Sequence, residues 1–201
     1  MITDLHAHTN FSKDAADDPE ELIKRMIAEG VEVFGITDHN HWIKGGEKEH
    51  AAYMRALIEK YKDKIKILHL CFSTDPYMYG HQDICEASTK IIEKANTFGI
   101  RCSVLTKGVL PIELSKMPLD NEYGITVVTL DEDFRKEMEP GAAPMEDRIC
   151  ALEELSKRGC YTWISIDPYP TPNIYNQSLD KLLERVSFAN KILEDYIITN
   201  R

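Results

Sequence analysis

Three helical patterns in this chain stop at a glycine, at Gly30, Gly99 and Gly159, and an apolar β-type run follows each stop. Glycine past a helix end supplies the left-handed turn that reverses the chain, so each stop marks a helix-to-strand junction. The helical patterns cover 19–30, 47–62, 83–99, 144–159 and 178–193, with a shorter piece near 111–116. Pro19 followed by Glu20 and Glu21 marks a helix start, and Ser178 is placed as an N-cap. Apolar β-type runs occupy 2–8, 32–37, 65–73, 100–106, 123–130 and 160–167, with a weaker one at 196–199. Strand and helix in regular alternation imply βαβ units and a parallel sheet. Several runs are apolar throughout, as strands covered on both faces are. The expected fold is therefore α/β, a TIM-like parallel (βα) barrel of about seven strands, distorted or incomplete, with an open doubly wound sheet as the alternative. A full eight-fold barrel takes about 250 residues; 201 residues over seven strands allow roughly 29 each. No glycine-rich dinucleotide or phosphate loop follows a strand, which counts against the open sheet.

Charge narrows the partners. With 24 basic and 34 acidic side chains the net charge is −10. Nucleic-acid backbones and anionic membrane surfaces both call for clustered Lys and Arg, so neither is expected as a partner. No apolar run reaches the roughly 18 to 20 residues of a membrane span, and the N-terminus lacks the basic and apolar regions of a secretory signal. A cytoplasmic protein acting on small molecules is the expectation. The five cysteines, at 71, 85, 102, 150 and 160, include no CxxC pair. They read as free thiols in or near a core, not as a disulfide framework or a zinc knuckle.

Chemistry concentrates at the ends of the first two strands. The first closes as Asp4-Leu5-His6-Ala7-His8 and is followed by Asp14; the second closes as Thr37-Asp38-His39-Asn40, then His41. Residues two apart on a strand face the same side, so His6 and His8 can share one metal. Strand C-terminal ends are where parallel barrels assemble active sites. Imidazole with carboxylate suits zinc, manganese or iron. Surface or capping histidines are the alternative, weakened by two such clusters in consecutive βα units.

The segments DLHAHTNFSKDA, PEELIKRMIAEG and VFGITDHN resemble the opening of the polymerase-and-histidinol-phosphatase (PHP) domain, over about residues 1–68. The resemblance implies a distorted seven-stranded barrel holding up to three metals and hydrolysing phosphoesters. It places His6, His8, Asp14 and His39 at metal-ligand positions, with Asp38 orienting a ligand, and metals that activate water and neutralise a phosphoryl group. The family pattern then expects a Glu after the third strand, further histidines and a late Asp-x-His. Here the third strand reads KILHLCFSTDPY, His81 is the one histidine beyond it, and no Asp-x-His occurs late.

A second resemblance covers about residues 68–195. CFSTDPY, LTKG, EPGAAP with Arg148, and IDPYPTP run in an order similar to the latter part of a radical S-adenosylmethionine barrel related to spore photoproduct lyase. That family carries CxxxCxxC on its first strand, which this chain lacks, so neither an iron–sulfur cluster nor radical chemistry is expected. The resemblance implies a nucleoside-like pocket near Asp75, Thr129 and Asp167. Together the two imply one domain over 1–201, a hybrid joined near 65–70. Asp75 and Asp167 are candidate replacements for the missing acidic ligands, although both precede proline and suit an Asp-Pro turn. Lys107 and Arg148 are candidates for meeting an anionic substrate, or for solvated surface positions. Tyr77, Tyr79, Tyr169 and Tyr175 are placed at the mouth, lining or covering it. His50, His69 and His81 are read as structural or exposed, and Asp131-Glu132-Asp133 as a solvated loop or first turn. A small phosphorylated substrate is expected; a catalytically weak barrel and an adenosylmethionine-binding module are the alternatives. Exposed strand edges in an incomplete barrel would favour a homodimer.

Overall fold

The computed structural model describes residues 2–7, 9–11, 15–36, 47–70 and 75–196. The first helix, α1 (Pro19–Ala28), forms where its sequence directs it. The Asp18 carboxylate accepts from the backbone N–H groups of Glu20 and Glu21 at 2.9 and 3.3 Å. Proline opens the first turn and two acids follow, which suits the positive end of the helix dipole. Leu22, Ile23 and Met26 form the buried stripe. Gly30, at φ +73°, turns the chain into strand β2.

β1 (Ile2–Ala7) and β2 (Val31–Ile36) pair in parallel, with Ile2 opposite Val31, Asp4 opposite Phe34 and Ala7 opposite Ile36. Helix α2 (Glu47–Tyr61) buries Leu57 and Ile58. It clasps α1 through the Glu20 carboxylate, which accepts from Lys60 Nζ at 2.5 Å and the Tyr61 hydroxyl at 3.0 Å. Strand β3 (Ile67–Leu70) and helix α3 (Gln82–Thr97) follow, the latter burying Ile92 and Ala95 before Gly99 at φ +72°.

Next come β4 (Arg101–Thr106), a 3-10 turn (Ile112–Lys116), β5 (Glu122–Thr126), α4 (Glu132–Met138), α5 (Met145–Lys157), β6 (Tyr161–Tyr169), α6 (Leu179–Arg185) and β7 (Lys191–Tyr196). The fold is α/β, with a five-stranded parallel sheet in the order β3-β4-β5-β6-β7 and a two-stranded β1-β2 sheet. Pairings that would close these seven strands into the expected barrel are not among those seen between the described residues. Tyr123 to Thr126 and Thr162 to Ser165 are buried without alternation, as in strands covered on both faces. In this register Gly124 lies opposite Trp163, and a Cβ there would meet the indole at 2.3 Å.

Two elements depart from the sequence expectation. The helix expected over 178–193 stops at Arg185, although Ser178 caps it as anticipated, accepting from Lys181 N at 3.3 Å. The backbone N–H of Asn190 donates to Thr162 O, and the Asn190 side-chain oxygen accepts from Thr162 N and Oγ1. This pairing draws the chain into β7, so Ile192 lies beside Ile164 in the sheet and the strand begins five residues before the expected 196. The acidic run at 131–133, expected as solvated loop or first turn, does form the N-cap and first turn of a helix, α4.

By its internal packing the chain divides into two compact units. Unit 1 comprises Met1–Pro76 and Asp83–Ser103; unit 2 comprises Tyr77–Gln82 and Val104–Arg201. Within unit 2, the Tyr77 carbonyl occupies the space a side chain on residue 108 would need, 1.7 Å from an ideal Cβ. Only glycine permits that approach, and the Gly108 N–H is held by Thr106 Oγ1 at 2.8 Å.

Candidate metal centre

In unit 1, β1 ends at Ala7 and β2 at Ile36, and these two residues are register partners. His6 belongs to the last turn-out of β1, so its backbone lies at the C-terminal end of this parallel pair. His8, Asp14, Asp38 and His39 fall outside the described residues. In sequence, His8 comes directly after β1, and Asp38 and His39 come just after β2. Among the described residues no group of three or more His, Cys, Asp or Glu side chains gathers to hold a metal.

The remaining candidates are spread apart. Asp75 is half-buried in unit 1, and burial followed by this carboxylate's charge pushes the Cys85 thiol upward. His50 lies in α2, His69 is half-buried in β3, and His81 is exposed. In unit 2, Asp167 is exposed within β6 and not in a turn, joined to Pro168 by a cis peptide bond. Cys102 and Cys160 are buried as expected of core thiols, Cys85 is half-buried and Cys150 is exposed.

Lys107 and Arg148 converge on one carboxylate. Glu139 accepts from Lys107 Nζ at 2.7 Å and from Arg148 at 3.0 Å. Arg148 is no surface residue. It is fully buried, and its guanidinium also donates to Ala143 O at 2.8 Å and Thr126 O at 3.0 Å. A guanidinium so engaged fixes the loop after α4 against β5 and is not presented to a ligand. Arg135 also holds this loop, donating to the carbonyls of Glu139 and Ala142. Sequence reasoning missed Arg135; the EPGAAP motif included Glu139, but nothing local shows that two arginines reach this loop or that Glu139 pairs with one of them. Lys107 keeps 43% of its side chain exposed.

Beyond the C-terminal ends of β5 and β6 lies a cleft of about 350 Å³, lined by Leu130, Asp131, Tyr175, Gln177, Lys181 and their neighbours. The Tyr175 hydroxyl donates to Asp131 at 2.6 Å and its ring stacks on Phe134 at 4.0 Å. That hydroxyl, with the N–H groups of Phe134 and Asp133, holds the Asp131 carboxyl below its ordinary range. Of the other tyrosines, Tyr77 and Tyr169 are buried and Tyr79 is exposed. Thr129 is fully buried, its hydroxyl accepting from Asp131 N.

Comparison with known proteins bears on the strand-end histidines. Residues 4–97 match the PHP domain. This is just under half of the chain, and it takes in β1, β2, β3 and α3. The PHP match thus runs past residue 68, into the first part of the segment that the second resemblance had claimed. ORF301, an uncharacterized protein of Acidianus two-tailed virus, is 26% identical over 129 residues, 61% of this chain and 41% of that protein. The chain therefore spans less than half the length of this relative. Neither finding supports the radical S-adenosylmethionine resemblance of residues 68–195. PHP domains are a family of metal-dependent phosphoesterases. Among the described residues no helix is long and apolar enough to cross a membrane.

Proposed function

We propose that the chain is a metal-dependent phosphoesterase acting on a small phosphorylated substrate. His6, His8, Asp14 and His39 hold the metal, zinc, manganese or iron, and Asp38 orients a ligand. The observation that carries this reading is the parallel β1–β2 pair inside the PHP match, with one histidine motif at or directly after the end of each strand in sequence. The residue types fit the group: neutral imidazoles and carboxylates are the donors such ions take. A divalent ion there supplies a Lewis acid that lowers the pKa of water and offsets phosphoryl charge. The chain's own part is positional. Ala7 and Ile36, the last residues of these parallel strands, are register partners, with a register shift between Asp4 and Ala7, and in sequence each motif lies at or just past that end. Lys107 is given no role in this reading; it shares the Glu139 carboxylate with Arg148.

Metal analysis of the purified protein tests the reading. Wild type is expected to retain a transition metal and the His6→Ala/His8→Ala double variant to lose it; equal occupancy in both overturns the assignment. Turnover of p-nitrophenyl phosphate with manganese, abolished by His39→Ala, is expected as well. Metal retention without turnover would leave a metal-binding barrel with too few ligands for catalysis, the alternative anticipated from the missing later ligands.

A further inference from the structure

The cleft beyond β5 and β6 stands apart from the strand-end histidines in residues and chemistry. Segments that follow the strands of a rigid sheet are where binding residues are commonly carried. This cleft lies there, between the segment after β5 and the segment leading into α6. Its volume of about 350 Å³ is within the range of small-molecule sites, roughly 300 to 1,000 Å³.

Its walls combine apolar surface with two charges, the Asp131 carboxylate, held by neutral donors, and the Lys181 ammonium. Leu130 is 40% exposed, Leu182 is buried at the base, and Tyr175 is propped by the Phe134 ring. The polar groups are largely committed. Asp131 accepts from two backbone N–H groups and the Tyr175 hydroxyl. Gln177 donates to Val128 O at 2.8 Å and accepts, through its backbone carbonyl, from Tyr169. Lys181 is different: it is exposed, lines the cleft, and makes no ion pair with any described residue. In a chain of net charge −10, a lone ammonium beside an apolar wall is complementary to an anion with an apolar body. Asp131 lines the same cleft as an anion, so the ligand's charge belongs toward Lys181 and not over its whole surface.

We propose that this cleft binds a small molecule with a flat apolar body and one anionic group, the body against Leu130, Leu182 and Tyr175 and the carboxylate or phosphate on Lys181. The bonds made by Tyr175 and Gln177 hold the segment ahead of α6 in place before any ligand arrives, which lowers the ordering cost of binding.

The test uses the full chain with a chelator present, so that it is independent of the metal-site reading. Phenylphosphonate, benzoate and inorganic phosphate are titrated separately against the ¹⁵N-labelled protein. Phenylphosphonate or benzoate is expected to shift resonances of residues 130–131 and 175–182 saturably at about millimolar concentration. The stronger of the two identifies the preferred anion. Lys181→Met, which keeps the aliphatic stem, is expected to weaken binding about tenfold, and Lys181→Arg to retain it. Inorganic phosphate is expected to bind at least about tenfold more weakly, having no body to bury. Absence of saturable shifts up to about 10 mM with both aromatic probes overturns the proposal. So does unchanged affinity in Lys181→Met, or inorganic phosphate binding as tightly as phenylphosphonate.

Discussion

Glu139 and Arg148 meet at 3.0 Å in a place where the arginine has no exposure to water and the carboxylate has 8%. Such a pair is costly to bury but far costlier to break, because the surviving charge is left without its partner. Arg148→Met is expected to destabilise the protein by about 3–5 kcal/mol. The added change Glu139→Leu is expected to recover part of that loss. Urea unfolding of the single and double variants checks both statements; a double variant as unstable as the sum of the single changes would contradict the pairing.

Gly108 gives a steric prediction. An added methyl group would sit 1.7 Å from the Tyr77 carbonyl oxygen, and neither partner is a flexible side-chain end. Backbone must move, at a cost of about 1–3 kcal/mol or more. Gly108→Ala is expected to lower the urea midpoint, whereas Gly141→Ala, where a Cβ meets nothing, serves as the neutral control.

Acid should loosen the α1–α2 clasp. Lys60 first, then Lys24 and Tyr61, hold the Glu20 carboxyl at about 2, against an ordinary value of 4.5. A depressed carboxylate contributes stability that is complete above its unfolded pKa and is lost as pH falls toward the folded one. The loss therefore runs from about pH 4.5 down to about 2. Glu20→Gln is expected to flatten the stability profile in that window and leave its shape near pH 7 unchanged, as chemical denaturation across the pH range would show.

The Tyr175–Asp131 bond can be read by titration. The tyrosine hydroxyl is the main reason the Asp131 carboxyl lies below its usual range. Tyr175→Phe keeps the ring stacked on Phe134 and is expected to raise the Asp131 pKa toward its ordinary value. Carboxyl NMR measures this directly, and an unmoved pKa would assign the shift to the backbone N–H groups instead.

Metal binding at the strand-end histidines should also appear as stability. A ligand at a hundred times its Kd adds about 2.7 kcal/mol to the folded state. Manganese is expected to raise the melting temperature of wild type in a concentration-dependent way and leave His6→Ala/His8→Ala unmoved. A rise of equal size in both would place the ion elsewhere.

Much of this molecule is written in local signals. α1 follows from Pro19, the acids Glu20 and Glu21, and Gly30, and α5 from its apolar stripe and Gly159, because caps and periodicity act within a few residues. The two-histidine motif at the end of β1 is a similarly local reading, resting on strand alternation, and His8 lies outside the described residues. What local reading missed depends on distant partners. The Ile192 segment looks helical until Asn190 pairs with Thr162, 28 residues away. Arg148 looks like a substrate-binding cation until the chain brings Glu139, Ala143 and Thr126 around it. Burial of a charge is decided by tertiary structure, and nothing in the neighbouring sequence announces it.

The route of the chain past Tyr77 has a practical corollary for dissection. Unit 2 takes its first six residues, Tyr77–Gln82, from the stretch that leads into and opens α3, and unit 1 then resumes at Asp83. No single cut therefore yields both units intact. A fragment ending at residue 68 forfeits α3, and one ending at Ser103 carries off the carbonyl that fits over Gly108. Expression of either half alone should give a poorly folded product, and co-expression of fragments split near residue 103 should rescue both by reassociation, a complementation that a simple end-to-end fusion of two self-sufficient pieces would not need.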